Sequence, residues 1–176
     1  MIITVCHCCS TFISHTLTSK QAKGYPDIQT RQFLNVLSTH HSDVPILALV
    51  DFDPDGIGIT STYKYGSMNL AHESNLAVPS IQWLGIRSEE ILRPGQEGEQ
   101  NDTKALLKLT ARDRRIATSM LARENGFGEQ GLEPEWKREI QTMLMLNVKA
   151  EIQMLGNGEA LGSWLDGKLI EATRGW

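Results

Sequence analysis

Five apolar residues run without interruption from Ile46 to Val50, with Pro45 ahead of them and a cluster of acids behind. A short unbroken apolar run with no alternation predicts a strand covered on both faces, the kind found inside a parallel sheet. A second such stretch, "SIQWLGI", covers Ser80 to Ile86. Around these two the apolar spacing changes to that of helices. Gly24 and Pro26 make a turn, Asp27 is placed to cap, and Ile28, Phe33, Leu34 and Leu37 share a helical face. A helix is predicted to open at Gly56 in "GIGITSTYKYGSMNLAHES", against the resistance of its glycines and β-branched residues. Thr110 caps "TARDRRIATSMLARENG", with Asp113 near the first turn, Ile116, Met120 and Leu121 on one face and Gly126 as the stop. Pro134 opens the longest predicted helix, in which Trp136, Ile140, Met143, Leu144, Val148, Ile152 and Leu155 keep helical spacing as far as Gly156. Strands alternating with helices predict an α/β domain whose parallel sheet is covered by helices and whose ligands sit at the carboxyl ends of the strands.

Two stretches fall outside this alternation. The first twenty or so residues are rich in β-branched and hydroxyl side chains without a clean period, and "RPGQEGEQNDT", from Arg93 to Thr103, reads as a polar surface loop. A chain of 176 residues with 40% apolar content builds one core of ordinary size. The net charge of −4 gives no global basic signal, so contact with nucleic acid would depend on local patches. No apolar run approaches the roughly 20 residues that cross a bilayer, and Lys20 is the only lysine before position 23, so no secretory signal is expected and the chain reads as intracellular, with no membrane partner. Cys6, Cys8 and Cys9 sit together with His7, and His15 beyond, but no second ligand pair follows at zinc-finger spacing. An ordinary reduced strand or a disordered leader is the preferred reading there.

The chemistry-bearing stretch is "ILALVDFDPDGIGIT". If the strand stays extended through Phe52, Asp51 and Asp53 leave the same face at its carboxyl edge. Adjacent carboxylates repel, and a hard divalent ion such as Mg²⁺ relieves that repulsion while keeping positions open for phosphate oxygens. Pro54 and Gly56 turn the chain there, and the following helix aims its amide end at an anion. The plain alternative is a solvated, helix-capping turn formed by Asp51, Asp53 and Asp55. The spacing also matches the start of a calcium-binding EF-hand loop, but Thr62 stands where a bidentate Glu is required, and a strand precedes the loop where a helix should. A phosphatase with Asp51 as nucleophile is a further reading, for which no suitably placed Lys and acidic partner can be assigned.

The blocks "KGYPDIQTRQFL", "LALVDFDPDGIGITSTYKYGSMNLAHES", "IQWLGI", "LTARDRRIATSML" and "WKREIQTMLMLNVKAEIQML" follow one another along the chain. In order and spacing they resemble the TOPRIM region of the meiotic double-strand-break transesterases, relatives of the A subunit of DNA topoisomerase VI. The resemblance covers about Lys23 to Leu155. It implies a TOPRIM-like parallel sheet flanked by helices with a helical C-terminal part, and Asp51 and Asp53 holding Mg²⁺ near a DNA phosphate. The expected divisions are a divergent leader (1–22), a TOPRIM-like sheet region (23–92), a loop or linker (93–109) and a helical C-terminal part packed on the sheet (110–176). The implied reaction is a transesterification that breaks both DNA strands in meiotic recombination, and the implied location is the nucleus. The implied partners are DNA, a homodimer mate or full-length family partner, and a topoisomerase VI B-like subunit.

The sequence departs from the family pattern at its amino-terminal end. The family's first sheet strand ends in a Glu that completes the metal site, whereas no Glu or Asp precedes Lys23 here. That first family strand is read as missing, with "MIITVCHCC" as a substitute that lacks the carboxylate. The family's attacking tyrosine lies on a preceding winged-helix domain, while Tyr25, Tyr63 and Tyr65 belong to the TOPRIM blocks and inherit no such role. No catalytic residue is therefore assigned, and a fragment inactive by itself is expected, with a non-catalytic dimerisation or interaction module as the alternative. Lys23, Arg31 and Lys64 are candidate phosphate contacts. Arg112, Arg114 and Arg115 read better as a solvated face in which Asp113 pairs with its neighbours. Trp83 and Trp136 read as core or interface anchors, and Gly66 with Ser67 as the close of the helix behind the acids.

Overall fold

The computed structural model describes residues 2–4, 27–42, 44–66, 76–92, 106–122, 132–156 and 158–173. The predictions for Lys23, Tyr25, Ser67, the Cys6–Cys9 cluster and the loop from Arg93 to Thr103 lie outside the described residues. Strand β2, Ile46–Val50, is the centre of a three-stranded sheet, and all five of its residues are buried, as its unbroken apolar run requires. β3, Gln82–Gly85, pairs with it in parallel from Leu47↔Gln82 to Val50↔Gly85. A parallel neighbour needs a crossover, which helix α2, Pro54–Tyr65, begins. On the other edge β1, Ile2–Thr4, pairs antiparallel with Ile46 to Ala48. The amino-terminal stretch thus supplies a strand beside β2 and covers hydrogen-bonding groups that would otherwise form an open edge.

Alternate residues of β2 feed two different cores. Ile46, Ala48 and Val50 join Trp83, Ile57 of α2 and residues of the later helices in the larger cluster. Leu47, Leu49 and Leu84 pack on the opposite face against Leu169 of α6, Gly158–Thr173. Helices therefore cover both faces of the sheet, the arrangement that the strand–helix alternation predicts. α1, Ile28–His40, is capped by Asp27, whose carboxylate accepts from the Thr30 N–H at 2.7 Å. Its buried side is Thr30, Arg31 and Leu34, while Ile28 and Phe33, expected on that face, are exposed. α2 opens at Pro54, two residues before the predicted start, because Asp53 takes the capping position.

The carboxyl-terminal half differs most from expectation. α4, Ala111–Ala122, opens behind a reciprocal cap: the Asp113 carboxylate accepts from the Thr110 N–H and the Thr110 hydroxyl accepts from the Asp113 N–H. α5, Pro134–Leu146, does not run on to Gly156. Asn147 turns the chain into the left-handed region at φ 58°, a conformation that Asn tolerates better than most residues, and its N–H caps the Met143 carbonyl. Val148–Ala150 then form strand β5, and Ile152–Leu155 a short 3₁₀ turn. β5 pairs antiparallel with β4, Leu106–Lys108, which occupies the end of the stretch expected to be loop. The short α3, Ser88–Leu92, completes the set.

Candidate metal site at the carboxyl end of β2

Beyond Val50 the chain stays extended through Asp53, at φ −151° and ψ 166°. Phe52 is fully buried, while Asp51 and Asp53 on either side of it are only partly covered. The two carboxylates therefore share the face that looks away from the core, as alternation in an extended chain demands. Each is also tied down. Asp53 Oδ1 accepts from the Gly56 N–H at 2.6 Å, the N-cap contact of α2. Asp51 Oδ1 accepts from the Ile152 N–H at 2.8 Å, a contact across 101 positions of sequence. Gly56 is required at its position: a Cβ there would stand 2.5 Å from the Asp51 carbonyl oxygen.

A second layer of charge surrounds these acids. Phe52 and Ala150 exchange two backbone hydrogen bonds, at 2.9 and 3.0 Å, which lay β5 antiparallel against the acidic edge. Asp55 receives both guanidinium nitrogens of Arg112 at 2.5 and 3.1 Å. Lys149 Nζ lies 2.9 Å from Asp113 Oδ2, and the Asp113 side chain is 4% exposed. Burial raises Asp53 above the usual carboxylate range; the Gly56 N–H opposes that, the charges of Asp51 and Asp55 add to it, and Lys149 only partly offsets it. Burial would raise Asp113 as well. There, hydrogen bonds from Lys149 and from Thr110 prevail and hold it below the usual range. Among the described residues no three His, Cys, Asp or Glu side chains form a metal-holding group, so the acidic edge offers two carboxylates and not a closed cage.

The family described as topoisomerase 6 A subunit/Spo11, Toprim domain, matches residues 16–161. The chain belongs to that family. Its sheet and flanking helices are thus a Toprim α/β fold. The meiotic recombination protein SPO11-1 of Oryza sativa subsp. indica is 40% identical over 134 residues, 76% of this chain and 33% of that protein. The meiotic recombination protein rec12 of Schizosaccharomyces pombe is 37% identical over 153 residues, 87% of this chain and 40% of its own. The A3 subunit of DNA topoisomerase 6 of Oryza sativa subsp. indica is 38% identical over 137 residues, 77% of this chain and 29% of its own. The chain thus spans about a third of the length of these curated relatives.

The other predicted residues of this Toprim chain lie in varied settings. Arg31 is 2% exposed and its Nε donates to the Leu76 carbonyl at 3.2 Å, a core position and not the surface a phosphate contact needs. Lys64 pairs with Glu133 Oε1 at 2.5 Å and lies over the rings of Tyr65 and Trp136. Burial pushes the phenols of Tyr63 and Tyr65 up to about 12, and for Tyr65 the hydrogen bond it donates to Glu133 adds to the shift. Both phenols are thereby disfavoured as phenolates. Trp83 and Trp136 are buried, as expected of core anchors. Arg112 is exposed, as expected of a solvated face, and also fastens α4 to Asp55, while Asp113 is buried and pairs with Lys149, not with its helix neighbours. Sequence spacing does not reveal Lys149 or Ile152 as supports of the site, because a helical period runs through that stretch.

Proposed function

We propose that this Toprim module holds a divalent cation, Mg²⁺, on Asp51 and Asp53 beside a DNA phosphate, in the service of double-strand-break formation by topoisomerase VI-type transesterification in meiotic recombination. The observation that carries the reading is the extended Asp51–Phe52–Asp53 edge with both carboxylates on one face. The donor set fits the ion. Each carboxylate commits one oxygen to a backbone N–H and keeps the other, and a partly hydrated Mg²⁺ is held by one or two carboxylates with water completing its shell. Bound there, the ion would supply charge neutralisation for a crowded phosphate. The carboxylates would orient it, and the Ile152 and Gly56 amides fix the carboxylates.

The relatives' names support a role on DNA. The working protein then acts in the nucleus, and its partners are DNA, a homodimer mate or full-length family partner, and a topoisomerase 6 B-like subunit. Among the described residues no helix is long and apolar enough to cross a membrane. Neither Tyr63 nor Tyr65 is assigned as the attacking group, and the role given to Asp51 and Asp53 is to hold the ion that neutralises a phosphate. Gel retardation of duplex DNA by the purified chain tests the reading. Binding that requires Mg²⁺ and is lost in Asp51→Ala or Asp53→Ala supports it. Metal-independent binding, or no binding by a well-folded chain, counts against it.

A further inference from the structure

The acids at the end of β2 are held by a segment a hundred positions away. Because Phe52 and Ala150 form an antiparallel bridge, Lys149 lies opposite Asp53 on the neighbouring strand and Glu151 opposite Asp51. Phe52 and Ala150 are both buried, so their flanking residues turn to the other face, where the acids lie. β5 is then fastened at successive points. The Lys149 ammonium sits on Asp113 at 2.9 Å, Ala150 exchanges its two hydrogen bonds with Phe52, and the Ile152 N–H reaches Asp51 Oδ1 at 2.8 Å. Asp113 is itself buried in the first turn of α4 and accepts from the Thr110 N–H at 2.9 Å.

We propose that Lys149 is a positioning residue for the cation site. Its ammonium, seated on Asp113, holds β5 in the register that aims the Ile152 amide at Asp51, and so sets the free oxygens of Asp51 and Asp53 for one divalent ion. The inference rests on the metal reading given above. It differs in sign from a simple charge effect: a lysine that acted only as a nearby positive charge would repel the ion, and its removal would tighten binding. A lysine that positions the ligands does the reverse.

Calorimetric titration of Mg²⁺ into the full chain, with circular dichroism to verify folding, separates these cases. Lys149→Met is expected to weaken Mg²⁺ binding about tenfold or more, the usual cost of losing a partner that orients a metal ligand, while Lys149→Arg stays within about threefold of the unsubstituted chain. Should Lys149→Met fail to fold because Asp113 is stranded, Asp113→Asn with Lys149→Met removes the stranded charge, keeps the Thr110 contact and is expected to show the same weakening. Unchanged or tighter binding in either folded variant overturns the proposal, as does a Lys149→Arg protein as weak as Lys149→Met. No binding by the unsubstituted chain overturns the metal reading itself, a result distinct from failure of the lysine's role.

Discussion

Two aspartates sit near each other in this chain with opposite fates. Asp113 is buried, yet it is held below the usual carboxylate range because Lys149 and Thr110 satisfy its charge. Asp53 is partly buried and displaced upward, because burial and the charges of Asp51 and Asp55 outweigh the single amide it receives from Gly56. The same residue type serves as a completed ion pair in one place and as an unsatisfied anion in the other. Completed pairs stabilise a fold. Uncompensated ones persist where something else supplies the missing charge, and that is the physical content of the proposed cation site.

The largest expected effect comes from breaking the completed pair. Lys149→Met leaves a carboxylate buried without its ammonium and is expected to cost about 3 kcal/mol, read from denaturant midpoints; a loss under about 1 kcal/mol would place the pair in effective contact with water. Next is Gly56→Ala. Its Cβ would meet the Asp51 backbone carbonyl at 2.5 Å, and the expected loss is about 2 kcal/mol together with weakened Mg²⁺ binding. A neutral outcome would show that the turn after Asp53 yields easily.

The pH dependence sharpens the comparison, because the two aspartates bend the stability curve in opposite directions. Asp113, depressed in the folded chain, contributes stability that is complete above the unfolded carboxylate value of about 3.9 and is lost as pH falls below it. Lys149, raised by the Asp113 hydrogen bond, contributes stability that is complete below about 10.4 and is lost as pH climbs past it. Asp53, raised, costs more to ionise in the folded chain than in the unfolded one, so stability declines as pH rises from about 3.9 through its folded value. Asp53→Asn keeps a good N-cap while deleting that cost. In metal-free buffer at neutral pH it is expected to stabilise the chain and to flatten the decline. A destabilised variant would mean that Lys149 already satisfies Asp53. Smallest is Arg112→Ala: its guanidinium is mostly exposed, so loss of the Asp55 pair is expected to shift stability by about 0.5 kcal/mol or less.

How much of the molecule is legible in its sequence depends on the distance over which each cause acts. The strand Ile46–Val50, the Asp27 and Thr110 caps and the shared face of Asp51 and Asp53 are local matters of period and capping, and each is found in the structure. Periodicity makes α5 too long because Val148, Ile152 and Leu155 continue a helical spacing by coincidence. One left-handed residue, Asn147, ends the helix, and pairing with β4 and Phe52 sets the path of the chain beyond it. Tertiary contact also shifts the buried face of α1, which keeps Leu34 and Leu37 against the core as expected. Arg31 is drawn inward by the Leu76 carbonyl, and Phe33 is left outside, although polarity alone argues the opposite. Half of the acidic site is therefore visible in the sequence, namely the carboxylates. Their supports, Ile152 and Lys149, lie about a hundred positions away, where no local pattern connects them to Asp51 and Asp53.

The most direct test is the thermal unfolding midpoint of the chain and of Asp53→Asn, each with and without millimolar Mg²⁺. A bound ion stabilises the folded state by about 2.7 kcal/mol at a hundredfold excess over its Kd. The expected result is a clear Mg²⁺-dependent rise for the unsubstituted chain and none for Asp53→Asn, although the variant begins from the higher metal-free value. Equal responses of the two proteins, or no response in either, would contradict a cation site built on Asp51 and Asp53.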